Sequence, residues 1–129
     1  STDSNFNRLH FGGHDLAACA DFLLLRAVAD AACARMVNVR VASVFSTDCF
    51  YGGDPELVAR LVCHGIAGVE MESAGLYGVA MREGFRALSV LTVSDHLQRD
   101  EHMPAGQREQ GLSRMAEMVL AGLEADSPG

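Results

Sequence analysis

Three polar stretches in this chain each follow an apolar run: FSTDCFY, EMES and SDH. In the second, Glu70 and Glu72 flank Met71 at the end of such a run, directly before a segment with helical spacing. Side chains on an extended strand alternate with period two, so the two carboxylates share a face and Met71 takes the other unless the backbone turns there. Two like charges on one half-buried face cost free energy unless something accepts them. A hydroxyl-rich ligand such as a sugar does so, because an ionised carboxylate takes two such hydrogen bonds at once. Each polar residue, taken singly, also fits a plain structural role: Asp48 starting a turn, Glu72 favouring a helix N-terminus by its charge, Asp95 forming an Asx turn.

The elements that must position these residues can be read from periodicity. Apolar residues Phe22, Leu25, Val28, Ala29, Ala32 and Cys33 recur at three and four, predicting a helix over residues 22–36. Residues 37–45 are valine-rich and alternate as a strand does. Asp54-Pro55 supplies a cap and a first-turn proline for a helix running through Val62 and closed by Gly65. A strand over 66–71, a helix over 73–83 stopped by Gly84, and an almost wholly apolar strand over 86–94 follow. After a polar segment and Pro104, the residues Leu112, Met115, Val119 and Leu123 mark the last helix. Residues 1–15 read as loop. Helices alternating with three strands predict an α/β sheet covered by helices. In such sheets ligands bind outside the carboxyl ends of the strands, where all three polar stretches lie, so one shared rim is expected. Three strands are too few to cover a strand as apolar as LSVLTV on both faces, so oligomerisation or further strands from elsewhere are expected.

Composition narrows the partners. The chain has 129 residues, one domain's length, and 49% of them are hydrophobic, enough to bury a core. Ten Lys and Arg against 17 Asp and Glu give a net charge of −7, which argues against nucleic acid and anionic membranes. With no run near the roughly 18 apolar residues of a spanning helix, a soluble cytoplasmic protein is expected. Cys19, Cys33, Cys49 and Cys63 form no C-x-x-C pair, so neither a metal clip nor a disulfide framework is expected, and Cys33 and Cys63 read as buried thiols.

The blocks GVEMESAGLYGVA, FSTDCFY, and LTVSDH with an arginine 13 residues beyond its aspartate resemble, in the same order, those of bacterial hexameric (DeoD-type) purine nucleoside phosphorylases. TDSNFNRLHF and HDLAACADF resemble that family as well. E-M-E alone is shared with uridine phosphorylases and nucleosidases, and S-D-H favours the purine enzymes. The resemblance implies a three-layer α/β/α sandwich of the nucleoside phosphorylase type, with this chain as its C-terminal half in a single domain or half-domain.

It also implies phosphorolysis of purine nucleosides, with inorganic phosphate as co-substrate and no other cofactor or metal. By position Asp95 would be the general acid at purine N7, its pKa raised by burial, with Arg108 approaching as the last helix closes. Glu72 would bind the ribose hydroxyls and Met71 would pack on the sugar. Phe50 would offer a flat face to the base, with Tyr51 close by and the backbone of Val69 and Glu70 along its edge. Ser94 would assist or cap the strand end, and His96 would assist or orient the loop. Partners implied are purine nucleoside and phosphate, with a homo-oligomer (a hexamer in the family) or a second chain supplying the N-terminal half. Departures are Gly52-Gly53, Gln98 to Asp100, and the absence of a glycine-rich phosphate loop. Two alternatives follow: a catalytically inactive nucleoside-binding module, and a nucleosidase that uses water.

Overall fold

A computed structural model describes residues 1–49, 54–99 and 101–126. Its elements in chain order are α1 (Phe6–His10), α2 (Phe22–Ala34), β1 (Val44–Ser46), α3 (Pro55–Cys63), β2 (Gly68–Glu70), α4 (Ser73–Glu83), β3 (Asp95–His96), β4 (Glu101–His102) and α5 (Ala105–Asp126). Two compact units result: Ser1–Asp21 with Arg40–Ala87, and Phe22–Val39 with the chain from Leu88 onward.

In the first unit β1 and β2 pair in parallel, with Val44 opposite Gly68, Phe45 opposite Val69 and Ser46 opposite Glu70. The N-terminal residues add a third neighbour: Thr2 bridges Ser46 in parallel, Ser46 N donates to Ser1 O at 2.9 Å, and Asp3 N donates to Ser46 O at 3.3 Å. The strand expected over 37–45 therefore shortens to three residues at its far end, and the one expected over 66–71 stops at Glu70, where the chain bends. Asp54 caps α3 by accepting Glu56 N at 2.9 Å, as its sequence predicts. Gly84 ends α4 in the left-handed conformation, φ 74°, and Phe85 N closes the turn on Ala80 O at 2.8 Å.

The segment read as loop contains α1. This single turn is held from outside: buried Asn7 donates from Nδ2 to Ala74 O at 2.7 Å. Gly78 on α4 makes room for it, since a Cβ there would collide with Asn7 Oδ1. A tertiary hydrogen bond of this kind leaves no periodic trace in the sequence, which is why the turn was not legible.

The second unit is built on α2 and α5. Its core is Val28, Ala32 and Met118, with Val37, Leu88, Val90, Met115 and Val119 packed around it. Leu24, Val28, Ala31 and Ala32 are the buried positions of α2, so its inner face is rotated from the expected one: Phe22 and Cys33 are exposed. Gly122 sets the approach of the helices, because a Cβ there would lie 2.8 Å from Val28 Cα.

Residues 86–94 differ from the expected two-sided strand. No described residue pairs with them in a ladder, and while Leu88 and Val90 face the core, Leu91 and Val93 are 49% and 72% exposed. Their apolarity exceeds what the described elements cover. The reading of buried thiols is also corrected: Cys33 and Cys63 are exposed, Cys33 because it lies off the buried positions of α2, and Cys63 because α3 buries none of its described side chains. Among the described residues no helix is long and apolar enough to cross a membrane.

Candidate functional site

The first and second polar stretches belong to the first unit, where the parallel register sets Ser46 beside Glu70. Ser46 Oγ donates to Glu70 Oε1. Glu70 Oε2 accepts Glu72 N at 2.9 Å, Ser73 N at 2.7 Å and Ser73 Oγ at 2.7 Å. Ser46 Oγ in turn accepts Ala74 N at 2.9 Å. One carboxylate and one hydroxyl thus satisfy the first amides of α4, which have no partner within the helix. Partial burial pushes the Glu70 carboxyl up, but the hydrogen bonds from Ser46, Ser73 and the Glu72 and Ser73 amides outweigh it and hold the pKa below the ordinary value.

The sequence placed Glu72, not Glu70, at the head of this helix. Glu72 occupies the cap position but makes no cap hydrogen bond, and its exposed carboxylate accepts Met71 N at 3.2 Å. The bend after Glu70 also separates the two carboxylates, so they do not share one strand face. Beside them, Asp3 gathers the other rim residues: Thr47 Oγ1 donates to its Oδ2 at 2.7 Å and Asp48 N to its Oδ1 at 2.9 Å. Asp48 thus takes part in a turn-like contact through its backbone. An open cleft of about 430 Å³ lies here, lined by Thr2, Asn7, Ser46, Asp48, Met71 and Leu76 among others. Val69, alternate to Glu70 along β2, is exposed.

The third stretch is in the second unit. β3 and β4 form a short antiparallel hairpin with Asp95 opposite His102 and His96 opposite Glu101. Ser94 Oγ donates to Asp95 Oδ2 at 2.6 Å, and His102 Nδ1 lies 2.6 Å from Asp95 Oδ1. Arg108, in the first turn of α5, brings Nη2 to 3.8 Å from the same oxygen while its Nε donates to Met103 O at 2.9 Å. The Ser94 hydroxyl first, then His102, with the Arg108 charge adding to them, hold the Asp95 carboxyl below its ordinary value. The expectation of a buried acid with a raised pKa is not met in the free chain: Asp95 is exposed, and its partners all favour the anion. His96 orients the turn, its Nδ1 accepting Gln98 N at 3.3 Å.

A family model described as the phosphorylase superfamily matches residues 2–123. The chain belongs to that superfamily. Among the relatives of this phosphorylase-superfamily chain, the DeoD-type purine nucleoside phosphorylase of Photorhabdus laumondii is 48% identical over 119 residues, covering 92% of this chain and 50% of the relative. The DeoD-type 2 enzyme of Vibrio cholerae is 47% identical over 120 residues, 93% and 51% of the two chains. That of Yersinia enterocolitica is 48% identical over 119 residues, 92% and 49%. The chain spans about half the length of the curated relatives it matches.

Of the residues singled out from the sequence, the structure of this superfamily member brings Ser94, Asp95 and Arg108 together, and sets Met71 on the cleft. Phe50 and Tyr51, with Gly52 and Gly53, lie outside the described residues. Sequence reasoning missed Ser46, Ser73 and His102. The serines stand inside the quoted stretches and carried a signal as potential hydroxyl partners of a carboxylate; His102 becomes visible only through the hairpin register.

Proposed function

We propose that this chain is the base- and sugar-recognising C-terminal half of a purine nucleoside phosphorylase. Phosphate attacks C1′ of a purine ribo- or deoxyribonucleoside, the N-glycosidic bond breaks, and free base and pentose 1-phosphate result. The observation that carries this reading is Asp95 with the Arg108 guanidinium 3.8 Å away, in a superfamily member. Purine anion is a poor leaving group, and a carboxyl placed to protonate N7 lowers the barrier. In this reading the proton reaches Asp95 when bound purine and closure of the α5 start remove water from the carboxyl. Arg108 then steadies Asp95 and the base. Glu72, whose carboxylate is exposed and makes no cap bond, accepts the ribose hydroxyls, and Met71 packs on the sugar. Phe50, Tyr51, Val69 and the Glu70 backbone line the base, and Ser94 holds Asp95.

In this reading the chain is a half-domain of a three-layer α/β/α sandwich. Exposed Val39, Val41, Leu91 and Val93 support it, as apolar surface that strands of the other half would cover. Phosphate-binding loops come from that half, in a cytoplasmic homo-oligomer or a complex of two kinds of chain. The test is phosphorolysis of inosine and adenosine by the chain assembled with the completing half. Ribose 1-phosphate is the expected product. Free ribose formed without phosphate would make the protein a nucleosidase, and nucleoside binding without turnover would make it a binding module.

A further inference from the structure

Asp95 has a proton problem that the phosphorylase reading leaves open. Its carboxyl is exposed, and every described group facing it favours the anion: the Ser94 hydroxyl, His102 from β4 and Arg108 from α5. An acid so placed is empty of protons at neutral pH, and Arg108 does not titrate there.

His102 does. The hairpin register puts it directly across from Asp95, with Nδ1 at 2.6 Å from Oδ1. A carboxylate only accepts, so Nδ1 carries the hydrogen in this contact. Imidazole has an ordinary pKa of about 6.5, near the pH at which a general acid works best. Its side chain is exposed, which leaves it open to proton exchange with water.

We propose that His102 is the proton source for Asp95, so that the acid of the phosphorolysis is a histidine–aspartate pair; this rests on the phosphorylase reading above. In the step, the imidazolium Nδ1–H passes its proton to the Asp95 carboxylate at Oδ1, and the carboxyl so formed gives that proton up to purine N7 and returns to carboxylate. The C1′–N9 bond breaks with its electron pair moving into the base, and a phosphate oxygen forms the new bond to C1′. The base leaves neutral, protonated at N7. His102 is left as neutral imidazole and takes a proton from water, restoring the pair. His102 acts through Asp95 and does not touch the nucleoside, and Arg108 balances the carboxylate charge between turnovers.

Two measurements test this. In the chain itself, the imidazole titration of His102 followed by NMR should move to a lower midpoint in Asp95→Asn, because the carboxylate that favours the imidazolium is gone. An unmoved midpoint would overturn the pairing whatever the activity. In the assembled enzyme, His102→Gln should lower kcat for inosine by about 10²-fold and shift the alkaline limb of its pH profile. It should leave turnover of an N7-methylated purine nucleoside, which needs no proton at N7, within about twofold. Equal loss on both substrates with an unchanged pH profile would mean a structural role and overturn the relay. Wild-type enzyme inactive on every nucleoside would overturn the phosphorylase reading, and the titration would still decide the pairing.

Discussion

Glu70 and Asp95 invite comparison, because each is a carboxylate at the end of an apolar run that accepts a serine hydroxyl, and each is held below its ordinary pKa. Their surroundings differ in kind. Among the described residues Glu70 meets groups that do not give up a proton at neutral pH: two hydroxyls and two amides, from Ser46 and Ser73, buried at 4% and 2% exposure, and from Glu72. Asp95 is exposed and meets an imidazole and a guanidinium. A low pKa therefore does not by itself mark a reacting group. What separates the two is whether the donors are fixed parts of a helix start or titratable side chains facing water.

The largest effect that would sharpen this contrast is on turnover. Asp95→Asn should lower kcat for inosine by about 10²- to 10⁴-fold in the assembled enzyme, with nucleoside binding little changed. An equal loss of binding would show that Asp95 holds the substrate and does not act as the acid.

For Glu70 the effect should be on folding. Glu70→Ala strips an acceptor from buried Ser46 and Ser73 and should destabilise the first unit by about 1–3 kcal/mol in urea unfolding. The pH dependence has a definite sign. Since the folded pKa of Glu70 is depressed below 4.5, its contribution is complete above that value and is lost as pH falls through the folded pKa. The variant should lack that part of the acid decline; an identical acid profile would break the assignment of Glu70 to the helix start.

The smallest change in stability is expected from Glu72→Ala, within about 0.5 kcal/mol, because its side chain is exposed and caps nothing. Its mark should be a raised KM for ribonucleosides. An unchanged KM would remove it from sugar recognition, and a loss of stability equal to that of Glu70→Ala would erase the difference between the two glutamates.

Much of the scaffold was legible in the chain. The α4 helix runs over Ser73–Glu83 as its spacing indicates, Asp54 caps α3, and Gly84 closes α4. These features depend on residues a few positions apart, and local steric and hydrogen-bonding preferences are written in neighbours. The strands were less legible. Apolar alternation over 37–45 and 86–94 indicates extended chain, but a strand needs a partner, and pairing is confined to Val44–Ser46 in the first and absent from the described chain in the second.

The E-M-E element and Asp95 were found by residue type and position, and Arg108, thirteen residues beyond Asp95, by the resemblance to the purine enzymes. Which carboxylate does what could not be found that way. Ser46 lies 24 residues from Glu70, Asn7 lies 67 from Ala74, and the inner face of α2 is chosen by α5 from the far end of the chain. The sequence by itself determined where helices start and stop and which polar side chains stand at the ends of apolar runs, since both follow from short-range sterics and alternation. Only the tertiary structure decided that Glu70 is consumed by a helix start while Asp95 faces His102 and Arg108. Hydrogen-bond partners and solvent exposure are set by which distant segments meet, and no local pattern records that.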